Sequence, residues 1–155
     1  MTARAAPTPA ESTFLTHART ATLATIAPDG RPRLVPVCFV LVGTTVYTPL
    51  DEKPKAVSDP RSLARVRDIE RRPDVTLLVD RWAEDWTRLG WLRCQGRAKL
   101  IEADAAPAEH RAAVAALRAK YPQYDTHDLE SRPLIRITID GVVSWGAIEG
   151  RERLT

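Results

Sequence analysis

Along the first fifty residues apolar and polar side chains alternate with a period of two, the spacing that sends successive side chains to opposite faces of a strand. Residues 20–27 alternate through Leu23 and Ile26, and residues 32–42 and 46–48 continue as a second and a third strand. Between the first two, Pro28-Asp29-Gly30 combines a fixed φ, a side chain that bonds its own backbone and a residue tolerant of positive φ. That triplet predicts a tight hairpin. Gly43-Thr44-Thr45 predicts the next turn, and Pro36, which has no N–H to donate, places its strand at an edge or a bulge. Antiparallel meanders of this kind begin barrels and sandwiches.

Further on the period changes. A charged loop, Asp51-Glu52-Lys53-Pro54-Lys55, precedes a helix start in which Asp59 caps and Pro60 fits the first turn. Leu63, Val66 and Ile69 recur on one helix face and Arg61, Arg65 and Arg72 on another, until Pro73 ends the helix. Two more helices are predicted: a short one over 12–19, with Phe14, Leu15 and Ala18 on one side, and one over about 106–120, with Val114, Leu117 and Tyr121 at helical spacing. His110, one turn before Val114, reads as a core or helix-flanking residue. Residues 75–79 form an apolar strand, and residues 89–101 a longer one that bends at Gly96. Residues 134–145 alternate as a last strand, with loops over 80–88 and 122–133. The sum is six antiparallel strands with two or three helices, a mainly β fold of the α+β kind.

At 155 residues the chain has the size of one domain. It is expected to fold over 10–148, between a disordered tail at 1–9 and a C-terminal tail at 149–155. No apolar run approaches the roughly 18 residues that span a bilayer, and residues 1–9 lack the apolar stretch of a secretion signal. The expected location is therefore cytoplasmic, away from membranes. Cys38 and Cys94 have no CxxC partner and read as small thiols inside apolar runs. The net charge of +3 is modest, and 19 of the 23 basic residues are arginine, as in chains that are also rich in alanine and proline. Without a basic tail or an aromatic-basic repeat, nucleic acid is not an expected partner.

Several chemistries lack their residues. There is no G-x-S-x-G elbow, and His17, His110 and His127 have no short spacing to pair as ligands, so neither a nucleophile nor a metal site is expected. Walker and G-x-G-x-x-G loops are also missing. What remains is binding by basic and aromatic side chains. Three of the four tryptophans, Trp82, Trp86 and Trp91, lie with four arginines between residues 80 and 98. They fit either a core with solvated neighbours or a site for a ring-shaped anion. Lys53 and Lys55, just after the third strand, and Arg61 and Arg65, one turn apart on the helix that follows, are placed to converge on one anion, or to form a solvated charged face. Asp59 at the helix start makes the side chains, more than the helix dipole, the expected phosphate ligands.

The order of elements and these residues resemble the split β-barrel flavin-binding proteins of the pyridoxamine 5'-phosphate oxidase type, and within them the actinobacterial branch that uses the deazaflavin coenzyme F420. The resemblance covers about residues 21–145. It is carried by Ala21-Thr22-Leu23-Ala24-Thr25 with Asp29-Gly30-Arg31-Pro32, by Pro36-Val37-Cys38-Phe39 and Asp51-Glu52-Lys53-Pro54-Lys55, by the run from Arg71 to Asp80, and by Glu84-Asp85-Trp86-Thr87-Arg88-Leu89-Gly90-Trp91. It implies a six-stranded split barrel that binds its cofactor at a homodimer interface, and a hydride transfer to a small-molecule acceptor that needs no protein nucleophile. Pro36 and Val37 would then border the ring, with Thr48 near it at the end of the third strand. Lys53, Lys55 and Arg65 would meet the phosphate, and Trp86 and Thr87 would close the site, from the partner subunit. Arg65 stands where a lysine is common in the family and Asp68 where an asparagine is frequent. FMN is the alternative cofactor, and a non-catalytic carrier of F420 or flavin the alternative role.

Overall fold

The computed structural model describes residues 2–51 and 58–149. Helix α1 (Pro9–His17) leads into strands β1 (Ala21–Ile26), β2 (Pro32–Val37), β3 (Val40–Val42) and β4 (Thr45–Pro49). A one-turn 3-10 helix at Pro60–Ser62 precedes α2 (Ala64–Arg71) and β5 (Asp74–Arg81). Another 3-10 turn, Trp86–Arg88, leads to β6 (Gly90–Ile101) and α3 (Pro107–Lys120), and a third, Pro122–Thr126, precedes β7 (Leu134–Gly146). Among the described residues no helix is long and apolar enough to cross a membrane.

All the strands lie in one antiparallel sheet in the order β2-β1-β5-β6-β7-β4-β3. There are seven strands where six were expected, because the run over 32–42 divides at Cys38 and Phe39. Its halves sit at opposite ends of the sheet order, although only two residues separate them. The sheet must therefore curl until its ends nearly meet. The break leaves the Phe39 backbone without a ladder partner, and Tyr121 supplies one. Its hydroxyl accepts the Phe39 N–H at 3.0 Å and shares its proton between the carbonyls of Phe39 and Arg19.

Inside the curl, inward-facing residues of β1, β2, β4, β5, β6 and β7 join one core that includes Leu23, Phe39, Leu77, Leu92 and Ile137, with Val66 and Ile69 of α2 packed into it, while Val40 of β3 joins a second cluster with α3. At the hairpin between β1 and β2, Gly30 takes a φ of +84° and Asp29 accepts the Arg31 N–H, as the Pro-Asp-Gly triplet requires. β6 and β7 shift register between Gln95 and Gly96, where a Cβ on Gly96 would run into the Thr138 carbonyl. The ladder is irregular at the glycine where a bend was expected.

Within the segment expected as a disordered tail, Arg4 and Thr8 make contacts with the fold. Arg4 exchanges backbone hydrogen bonds with Val142, on a stretch of β7 that β4 does not reach, and Thr8 caps α1 in a capping box with Glu11. Only 2% exposed, Glu11 also takes the Ser144 hydroxyl at 2.6 Å and the Arg4 guanidinium. One carboxylate thus fastens the arm, the helix and the last strand together.

Candidate functional site, an arginine-lined groove at the sheet edge

β2 is an edge strand, and the first turns of α2 pass beside it. Between them lies a groove of about 420 Å³, bounded by Arg33, Leu34 and Val35 on the strand and by residues 62–67 on the helix side. Three arginines reach it: Arg33, Arg65 and Arg67. Val66 and Ile69 are buried in the core, which leaves Arg65 and Arg67, on either side of Val66, at the rim, while Arg33 comes from β2.

Arg65 differs from a solvated surface cation. It is half-buried, and its Nε is buried without a hydrogen-bond partner among the described residues. Burial lowers the pKa of the guanidinium, and the Asp51 carboxylate pulls it back up. Asp51 is itself buried and accepts the Tyr124 hydroxyl at 2.8 Å. A buried guanidinium nitrogen without an acceptor is a costly arrangement, which an anion in the groove would relieve.

Across the groove Arg33 donates its Nε to Asp68 at 2.7 Å, and its terminal nitrogens have no acceptor among the described residues. The Asp68 side chain is 2% exposed. It also accepts the Thr25 hydroxyl at 2.8 Å and the Arg71 guanidinium at 3.3 Å. Burial pushes its pKa up, but the hydrogen bonds from Arg33 and Thr25, with the positive charges around them, outweigh burial and hold it below the ordinary value.

The expected site residues fare differently. Arg65 lines the groove, whereas Lys53 and Lys55 lie outside the described residues. Arg61, expected to converge on the same anion, instead holds Glu102 through two nitrogens at 2.7 Å each and approaches Asp59 at 3.5 Å. Two carboxylates already satisfy it. Pro36 is exposed and Val37 buried, just past the groove on β2, and Thr48 is buried within β4 opposite Ile135. Trp86 and Thr87 line no part of the groove: they sit in the turn before β6, where Asp85 holds the Thr87 hydroxyl at 2.7 Å and Trp86 is 73% exposed. Trp82 and Trp145 are also exposed, so the tryptophan-rich segment is mostly surface. Arg33 was not among the expected site residues, and Asp68 stood out in the sequence only as a departure from the asparagine frequent in the family. The hairpin register set by Asp29-Gly30 pairs Arg33 with Thr25, and a carboxylate between Val66 and Ile69 was the other available sign.

A curled antiparallel sheet of this order, with a basic groove at its edge, defines a small split barrel. The chain belongs to the pyridoxamine 5'-phosphate oxidase family, whose model matches residues 7–146. No curated protein matches it. Among solved structures it is similar to a conserved hypothetical protein from Mycobacterium tuberculosis, at 21% identity and a TM-score of 0.71, over 90% of this chain and 85% of that one. A heme binding protein from Mycobacterium smegmatis shares 19% identity at a TM-score of 0.68, over 95% of this chain and 56% of the other. The heme storage protein HutZ from Vibrio cholerae shares 18% at 0.65, over 90% and 94%. At these identities the likeness is one of fold.

Proposed function

We propose that the chain is an F420-dependent oxidoreductase that passes a hydride between the reduced deazaflavin coenzyme and a small electron-poor organic acceptor, with the cofactor seated between two copies of the chain. The observation that carries this reading is the half-buried Arg65, its Nε unsatisfied, facing Arg33 across a groove whose strand side presents Leu34 and Val35. Arginines suit a phosphate, and an apolar strand edge suits a planar ring joined to it. When bound, the coenzyme supplies the hydride. The chain's part is to anchor the phosphate at Arg33 and Arg65, with Lys53 and Lys55 adding charge as the family resemblance implies, and to hold the ring along β2 near Pro36 and Val37. Placement and the exclusion of water then do the rest.

The second copy has a face to meet. Across the outer side of the sheet the register aligns Pro36, Thr22, Leu78, Arg93 and Val143 in one row. Leu34 at 65% exposure and Trp145 at 50% extend its apolar character. A homodimer across this face brings the exposed Trp86 of one copy toward the other and covers apolar surface that a monomer leaves in water.

FMN fits the same residues and is the alternative cofactor, and a carrier that binds F420 or flavin without turnover would use them equally. Two of the structural neighbours are named for heme. Heme iron takes a His, Cys, Met or Tyr ligand, and no residue lining this groove is of those types, which favours a phosphate-bearing ring. Side-by-side fluorescence titrations with F420 and FMN test the reading, followed by hydride transfer to quinones, nitro compounds and enones. Tight binding and turnover with F420 are expected. Binding without turnover of any acceptor makes the protein a carrier, and no binding of either cofactor sinks the proposal.

A further inference from the structure

Behind the groove, outside its lining, lies a buried carboxylate that an anion would not touch but that holds one of the lining arginines. Asp68 reaches from α2 to both β1 and β2. Its Oδ2 takes Thr25 Oγ1 at 2.8 Å and Arg33 Nε at 2.7 Å, and its Oδ1 takes an Arg71 nitrogen at 3.3 Å. That Arg71 nitrogen also donates to the Ile26 carbonyl at 2.7 Å, so the far end of β1 is tied to the same helix turn. The Nε of Arg33 is the nitrogen that points back along the side chain. With it engaged, the planar guanidinium is fixed in rotation, and its two terminal nitrogens form a free fork. Left unpaired on an edge strand, a half-exposed arginine would sample many rotamers and lose side-chain entropy on each binding event.

We propose that Asp68 is a positioning residue for anion recognition: by taking the Nε of Arg33 it aims the terminal fork of that guanidinium into the groove, so that Arg33 and Arg65 grip a phosphate-type group together. This rests on the reading of the groove as the anchor for a cofactor's phosphate. Asp68 sets the gain in preorganisation, while Arg33 and Arg65 make the contacts. Because the carboxylate also neutralises part of the charge, removing it raises the positive potential. Were charge alone decisive, its loss would strengthen anion binding; loss of aim weakens it. The two effects have opposite signs.

The test compares ligands that differ by the phosphate: FMN against riboflavin, and F420 against its phosphate-free deazaflavin core, each titrated into the full-length protein, with displacement by inorganic phosphate as a ring-independent check. The wild type is expected to prefer the phosphate-bearing member of at least one pair. Asp68→Ala should cut that preference about tenfold with the phosphate-free ligand unchanged, whereas Asp68→Asn, which keeps an acceptor for Nε, should hold it within about twofold. Arg33→Lys keeps the charge but lacks the fork, and should lose the preference as Asp68→Ala does; it carries the test if Asp68→Ala does not fold. A phosphate preference left intact or increased by Asp68→Ala or left intact by Arg33→Lys overturns the assignment to Asp68 alone. A wild type without any phosphate preference removes the reading of the groove and this inference with it.

Discussion

Burial lowers the pKa of the Arg65 guanidinium while Asp51 draws it back up, and in the proposed site a bound phosphate would act in the same direction as Asp51. Arg65→Ala removes a charge-assisted contact and should weaken binding of the phosphate-bearing cofactor by roughly 1.5–3 kcal/mol, leaving the melting temperature nearly unchanged. Unaltered affinity in a fluorescence titration places the phosphate elsewhere. Lys120 shows the same conflict with a different outcome. Its ammonium lies 3.9 Å from the Phe39 ring centre and donates to the Leu15 carbonyl at 3.3 Å. Burial, and then the neighbouring Arg19 charge, lower its pKa from 10.5 to about 8, with Cys38 opposing. The unfolded chain therefore binds the extra proton between about pH 8 and 10.5, and stability rises with pH across that window. Lys120→Met should flatten that rise and gain roughly 1 kcal/mol at pH 7, after the lost cation–π contact is subtracted. Chemical denaturation at pH 7 and pH 10 reads both effects.

Among the elements, α1 owes its seat to one carboxylate. Burial pushes the pKa of Glu11 up, but hydrogen bonds from Ser144 and Thr8 and the Arg4 charge hold it below the ordinary 4.5. A depressed carboxyl stabilises the fold above its unfolded pKa, so this contribution is present at neutral pH and is lost as pH falls below about 4.5 toward the folded value. Glu11→Ala should cost roughly 2–4 kcal/mol at pH 7 and remove that acid-side slope. Equal acid titrations of wild type and variant would show that the latch contributes nothing. This latch was invisible in the tail because its partners, Arg4 and Ser144, lie 7 and 133 residues from Glu11. The 3.6 and 2.0 periods, by contrast, report local burial, and they located all three helices and every strand except the division of residues 32–42. That division has no period of its own. It arises where a continuous β run leaves one edge of the sheet and joins the other.

At the scale of the whole molecule, the proposed homodimer makes the outer face of the sheet decide whether the groove is complete. Leu78 stands in the middle of its row and is 36% exposed. In the proposed homodimer Leu78→Lys places a charge at a desolvated contact and should shift the protein to monomer, weakening association about tenfold or more. Sedimentation velocity at matched concentrations checks it, and an unmoved distribution places the interface on another face. Cofactor affinity should fall together with association, since each groove would lose its partner. By itself the sequence determined the kinds of elements, the hairpin at Gly30 and the glycine at which β6 breaks register, because alternation and turn chemistry act over a few residues. Only the tertiary structure decided which cations are already paired and which line the groove. Arg61 was claimed by Glu102, 41 residues away, and Arg33 was freed at its terminal nitrogens by Asp68, 35 residues away. Electrostatic energy depends on distance through space, and a curled sheet sets those distances without regard to position along the chain.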